Sequence, residues 1–264
     1  MGARVTVDGL RLLVEELVAT YAAAAGAQNW WRKPLLATAQ ADERFDILPE
    51  IAFDGHFLPS QLLSSVKAVV VFFLPFTIDL VNENSPGKFP CRNWGLAYEA
   101  TNELIGMVAE RMQDYLAGGG YQSALTPATH NFDEVRLVSR WSHKHLAYLS
   151  ALGRFGVNAQ LITPSGCAGR LGSLVTEADL GDSPLVEAQE LCLHKAGQQC
   201  LKCAERCPVQ AVGEHGIDRK CCWDRLRFNI ERTEKLSGLH ETTHVCGKCA
   251  VNVPCSVDPL ARLP

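Results

Sequence analysis

The 264-residue chain lacks any apolar run of the roughly 18 residues that a membrane span needs. Its longest, Ala68 to Phe76, contains Pro75 and suits a buried strand better. The apolar segment Leu10 to Ala25 carries Arg11, Glu15 and Glu16, which argues against a secretory leader, so the expected setting is the cytoplasm, without a membrane. A strongly basic face is also missing. The net charge is −4, and a nucleic-acid partner is not expected. Histidines at zinc-site spacing are scarce among the eight present. Cysteine is nearly absent before residue 190, where only Cys91 and Cys167 occur, each read as a lone core thiol.

The remaining nine of the eleven cysteines form two interlocking sets. The first is Cys192, Cys200, Cys203 and Cys207, followed by Pro208. The second is Cys222, Cys246, Cys249 and Cys255, with Cys221 spare. The run Cys200-x2-Cys203-x3-Cys207-Pro208 matches the last three cysteines and the proline of the bacterial two-cluster ferredoxin run, in which the cysteine before proline ligates the other cluster. A tight loop brings neighbouring thiolates to one cubane only when few residues separate them, and the fourth ligand comes from elsewhere. The expected ligand sets are Cys192, Cys200, Cys203 and Cys255 for one 4Fe-4S cluster, and Cys207, Cys222, Cys246 and Cys249 for a second. Cys221 competes with Cys222; Cys222 is preferred because it opens the helix whose Leu226 would pack beneath it. Two zinc sites of four thiolates each are the rival reading, and disulfides a weaker one.

Hydrophobic periodicity places helices from Asp8, as N-cap, to Gly26, from Ala97 to Leu116 with Gly118-Gly119-Gly120 as the stop, from Ser142 to Gly153, and from Trp223 to Leu236. Val66 to Leu74 reads as a central strand covered on both faces. Tyr121 to Leu125, Ala159 to Thr163 and Ser173 to Thr176 read as further strands, and residues 27–60 as loop. Helices and strands alternate, so the expected class is α/β (α+β) over residues 1–185, with Gly181 to Pro184 marking the boundary to a ferredoxin-like domain over 186–264.

Residues 142–176 hold glycines at 153, 156, 166, 169 and 172, the composition of tight turns or of backbone passing close to a flat ligand. Within this stretch, Ala147 to Ile162 resembles the A-x-x-x-G-L-G-x-x-G-x-N-x-x-L-I segment of the epoxyqueuosine reductase family, with Ala151-Leu152-Gly153 in place of Gly-Leu-Gly. That family, related to the reductive dehalogenases, places the segment before a two-cluster domain, as this chain does. The resemblance implies a nitroreductase-like domain that binds base-off cobalamin, with Gly153, Gly156, Asn158, Leu161 and Gly172 along the corrinoid. Two departures stand out. Gly197 occupies the place of the family's first cluster cysteine, and no carboxylate stands at Leu137, near which the family has its acidic proton donor; Asp133 and Glu134 come four and three residues earlier. His143 and His145 are the candidate proton donors instead.

The function these features imply is an iron-sulfur oxidoreductase that reduces a small molecule or modified nucleoside, fed by a low-potential ferredoxin or flavodoxin. The alternative is an electron-transfer or corrinoid-reactivating protein without its own substrate.

Overall fold

The β-branched and aromatic run Ala68–Pro75 forms a strand in which every residue is buried. A computed structural model describes residues 4–24, 29–126 and 132–259 of the chain. Its strands are β1 (Leu35–Gln40), β2 (Ala68–Pro75), β3 (Ser123–Leu125), β4 (Phe132–Asp133), β5 (Val138–Ser139), β6 (Arg154–Phe155), β7 (Leu161–Ile162), β8 (Gly169–Thr176), β9 (Val212–Gly213) and β10 (Gly216–Ile217). The main sheet has the order β1-β2-β8-β3, so the most apolar strand is an inner one. It pairs antiparallel with β1, Leu35 facing Phe73 and Gln40 facing Ala68. Lys67 N–H meets Thr176 O at one end of β2, and Phe76 N–H meets Ala168 O at the other, so β8 runs opposite to β2 as well. The class is mixed α/β. Among the described residues no helix is long and apolar enough to cross a membrane.

The chain divides into two units. One comprises Met1–Leu74, Asn102–Leu152 and Arg170–Glu187; the other comprises Pro75–Thr101, Gly153–Gly169 and Ala188–Pro264. The last crossing falls between 187 and 188, near the punctuation at Gly181 to Pro184, while the second unit also takes in 75–101 and 153–169.

In the first unit, the helix Val7–Ala24 buries Leu10, Val14 and Val18, and the helix Arg92–Gly118, which belongs to this unit from Asn102 on, buries Leu104, Ile105, Val108, Met112 and Leu116. Each large side chain so covered contributes about 1.5–3 kcal/mol. Gly26, expected to end the first helix, lies outside the described residues. The long helix begins five residues before the expected Ala97 and closes as a Schellman motif. Tyr121 N–H reaches Leu116 O at 3.0 Å, Gly120 N–H reaches Ala117 O at 2.9 Å, and Gly120 takes φ +85°.

Residues 27–60, expected to be loop, contain edge strand β1, the 3-10 turn Glu43–Phe45 and the single-turn helices Leu48–Ile51 and Pro59–Leu62. Strand β1 shows no alternation because four successive residues are buried. What makes it a strand is its ladder to β2. Its other edge is covered by residues 181–183: Ser183 N–H donates to Thr38 O, Thr38 Oγ1 to Gly181 O, and Gln40 N–H to Asp182 Oδ1. Arg44 then bridges Asp42 and Asp182.

Gly172 on β8 faces Phe72 on β2, and a Cβ there would land inside contact distance of the ring. Gly172→Ala is expected to destabilise the protein by about 1–3 kcal/mol through overpacking. In urea melts the pair Gly172→Ala/Phe72→Leu should cost less than the sum of the single changes, because the smaller side chain makes room. An additive result would show that the two do not touch.

Candidate metal centre

The cysteines of the second unit sit on short local structures that fix their direction. Cys203 lies in the helical turn Lys202–Arg206, which Cys207 ends in an extended conformation, as the residue before a proline must. Cys207 Sγ accepts a hydrogen bond from Ala211 N–H at 3.2 Å. The β9–β10 hairpin returns the chain to Asp218, whose carboxylate caps the helix Arg219–Arg232 by accepting from Cys221 N–H. That helix starts four residues before the expected Trp223 and stops at Arg232, leaving Glu234–Leu236 as a 3-10 turn. Gly247, at φ +70° with the Trp94 ring against it, opens the 3-10 turn Lys248–Ala250 that carries Cys249.

Cys192, Cys200, Cys203 and Cys255 line one pocket, together with Gly156, Val157, Asn158, Leu193, Val253 and Pro254. Apart from the Asn158 amide, which bonds to Cys249 O and Gln160 N–H, the polar side chains of the wall are thiols, with no carboxylate, histidine or lysine. Burial, followed by the neighbouring Cys255 and Cys192, pushes the Cys203 thiol up to about 11. Cys249 is the centre of the other set: burial raises its thiol far above the ordinary value, and Cys246, Cys222, Cys207 and Cys203 add to the rise. Cys221 instead turns its sulfur to Val209 O at 3.4 Å. No disulfide joins any of the eleven cysteines. Among the described residues, no three His, Cys, Asp or Glu side chains converge tightly enough to hold a single ion.

Three buried asparagines hold the loop between Val245 and Cys249. Asn229 Nδ2 donates to Val245 O at 2.8 Å, Asn84 Nδ2 to Cys246 O at 3.0 Å, and Asn158 Nδ2 to Cys249 O at 2.8 Å. Lys248, also buried, extends its ammonium to Asn84 O and Pro86 O, and burial lowers its pKa to about 8. Arg206 donates to Lys248 O and Ser85 O. None of these supports except Asn158 was singled out in the sequence, since a lone Asn or Lys carries no spacing signal. Cys167, read as a lone core thiol, lies with its sulfur 4.0 Å from that of Cys255, and its backbone N–H bonds to Cys255 O. Cys91 is half-buried, its N–H on Asn84 Oδ1.

Of the five residues expected along a corrinoid, Gly153, Gly156, Asn158 and Leu161 fall in the second unit and Gly172 in the first. The space beside Gly153 is filled by Ile162 O, that beside Gly156 by Asn158 and Ile162, and that beside Gly172 by Phe72. Leu161 is buried in the β6–β7 hairpin, opposite Phe155. Close packing leaves no room for a side chain at Gly153, Gly156 or Gly172. Asn158 and Gly156 instead line the cysteine pocket.

In the first unit, the helix His143–Leu149 carries both candidate proton donors. His143 is buried with Nδ1 on Ser173 Oγ at 2.7 Å, a hydroxyl that also accepts from Trp141 Nε1. His145 Nδ1 meets Ser142 Oγ at 2.8 Å. His56, missed in the sequence, completes the group: its ring stacks on Trp141 and meets His145 edge-on. Its Nδ1 donates to Phe57 O while Nε2 accepts from Ser142 N–H, which requires the neutral ring, and burial lowers its pKa. Asp133 is exposed in the β4–β5 hairpin, its carboxylate accepting from Arg136 and Val135 N–H groups, which lower its pKa.

No family model matches the sequence, and no curated protein matches it. Solved structures do. A selenomethionine-labelled epoxyqueuosine reductase aligns at TM-score 0.55 and 15% identity, over 93% of this chain and 66% of its own. The catabolic reductive dehalogenase NpRdhA aligns at TM-score 0.56 and 14% identity, over 86% of this chain and 30% of its own. A reductive dehalogenase whose structure suggests a mechanism for B12-dependent dehalogenation gives 0.53 and 15%, over 81% and 28%. The chain thus spans about two thirds of the first protein and under a third of the dehalogenases. What it shares with them is the fold, in agreement with the resemblance carried by Ala147 to Ile162.

Two outcomes are expected. Asn158→Leu leaves Cys249 O without its donor and should cost about 1–3 kcal/mol in denaturant unfolding; an unchanged midpoint would remove the support assigned to it. As pH falls through 6.5, His56 of the unfolded chain takes a proton that the folded ring resists, so stability is present above that pH and is lost below it. His56→Gln should therefore flatten the decline in urea midpoint between about pH 7.5 and about pH 5.5.

Proposed function

We propose that the chain is an iron-sulfur reductase holding two 4Fe-4S clusters, one on Cys192, Cys200, Cys203 and Cys255 and one on Cys207, Cys222, Cys246 and Cys249. The observation that carries the reading is the pocket lined by the first four cysteines and by no carboxylate or imidazole. Soft thiolates without imidazole or carboxylate select iron-sulfur clusters or zinc. A thiol whose pKa is raised by burial and by neighbouring sulfurs, as that of Cys249 is, gives up its proton when a cationic centre compensates the charge. The bond from Ala211 N–H to Cys207 Sγ is the kind of contact that tunes a cluster's potential.

The clusters would supply one-electron steps at low potential, and a cobalamin, proposed from the fold likeness to a B12-dependent dehalogenase and not from the glycines, would supply the reducing centre for a small molecule or modified nucleoside. His143 and His145 are the proposed proton donors, each with Nδ1 set by a serine hydroxyl. A low-potential ferredoxin or flavodoxin is the proposed source of electrons, and the cytoplasm the proposed setting.

Protein purified without oxygen should be brown and contain about eight iron and about eight sulfide per chain. Cys200→Ser and Cys246→Ser should each lose at least about half of the visible absorbance, and Cys91→Ser none. Zinc in place of iron, or equal losses in all three variants, would overturn the reading. Added cobalamin should change its visible spectrum on binding; an unchanged spectrum would remove the corrinoid and leave the clusters.

A further inference from the structure

Beside the second set of cysteines the second unit presents a surface that the proposed chemistry does not use. Phe89 and Phe228 stand 40% and 43% exposed, with their rings stacked at 6.3 Å. The Arg225 guanidinium lies 4.4 Å from the centre of the Phe89 ring and 5.5 Å from that of Phe228, and donates to Lys88 O. Lys88 in turn borders an open cleft of about 690 Å³ whose other lining residues are Gly87 and the run from Ala204 to Gln210, which includes Cys207. Apolar rings kept in water next to cations are the anatomy of an interface, with an apolar centre and a charged rim.

The charge of the helix that carries Phe228 differs from that of the chain. The helix Arg219–Arg232 carries five cations against two carboxylates, while the whole chain is at −4. Glu205, the acidic residue on the cleft, is paired with Lys202 at 2.7 Å. Lys88 is exposed, and Arg227 meets Glu231 only at 3.9 Å. The complement of such a face is acidic.

Resting on the iron-sulfur reading above, we propose that this surface is where electrons enter: it docks an acidic one-electron carrier protein whose redox group seats over the cleft walled by Cys207. Each encounter moves one electron from the reduced carrier to a cluster, so the carrier departs oxidised by one electron and no bond or proton is exchanged. The two phenyl rings supply the apolar contact, and Lys88 and Arg227 steer the approach. Steering of this kind raises association rates by about 10–10³-fold at low ionic strength.

The test is anaerobic stopped-flow reduction of the whole protein by a reduced acidic two-iron ferredoxin, with dithionite as a reductant too small to need the surface. In Lys88→Glu/Arg227→Glu the ferredoxin rate should fall at least about tenfold at low salt, and the difference should shrink at about 0.5 M salt. Phe228→Ala should slow the reaction at both salt concentrations, and dithionite should reduce all forms alike. Ferredoxin rates equal to wild type in both variants would overturn the proposal. So would binding of a fluorescent RNA stem-loop that is lost in the charge-reversed variant while ferredoxin rates stay unchanged. A wild-type protein whose visible spectrum dithionite leaves unaltered would instead defeat the iron-sulfur reading itself.

Discussion

The loop that carries Cys246 and Cys249 pairs with no strand among the described residues, yet it is part-buried, so its carbonyls need donors from side chains. Asn84, Asn158 and Asn229 supply them, one each to Cys246, Cys249 and Val245. A buried carbonyl without a partner costs about 1–3 kcal/mol, so three such bonds weigh heavily against a stability that is small overall. The asparagines come from three distant stretches of chain. Their convergence makes the residues around 84, 158 and 229 one unit with the cysteine loops, although sequence order separates them.

The same loops crowd thiols together. Cys203 and Cys249 are held where burial and neighbouring sulfurs oppose ionisation, and Cys167 adds a further sulfur beside Cys255. Gly166, at φ +88° with Ser256 O against it, and the N–H groups of Cys167 and Ala168 fasten that segment to Cys255 and Ser256. An arrangement that disfavours free thiolates while fixing their positions is one in which binding a cationic centre and ordering the loops share the same free energy.

The first unit is built on a different principle. Its sheet satisfies the backbone by strand pairing, and β2 is buried on both faces. That rigid base sets the histidine group: Ser173, on β8, receives Trp141 and meets His143, while His56 fixes Ser142 at the start of the helix His143–Leu149. The imidazoles are oriented by hydrogen bonds from neighbouring backbone and hydroxyl groups, the condition a proton-handling group requires.

The sequence by itself determined the features that depend on near neighbours in the chain. The helices near Val7, Arg92, His143 and Arg219 followed from periodicity, β2 from its apolar run, and the closeness of Cys200 to Cys203 from the two residues between them. Only the tertiary structure decided the rest. Strand β1 exists because β2 lies beside it, and Gly172 is glycine because Phe72 fills its space. Cys167 lies against Cys255, and the asparagines against the cysteine loop, through close approaches between remote segments. Local propensity extends over a few residues, whereas packing and burial are properties of whichever segments the fold brings together.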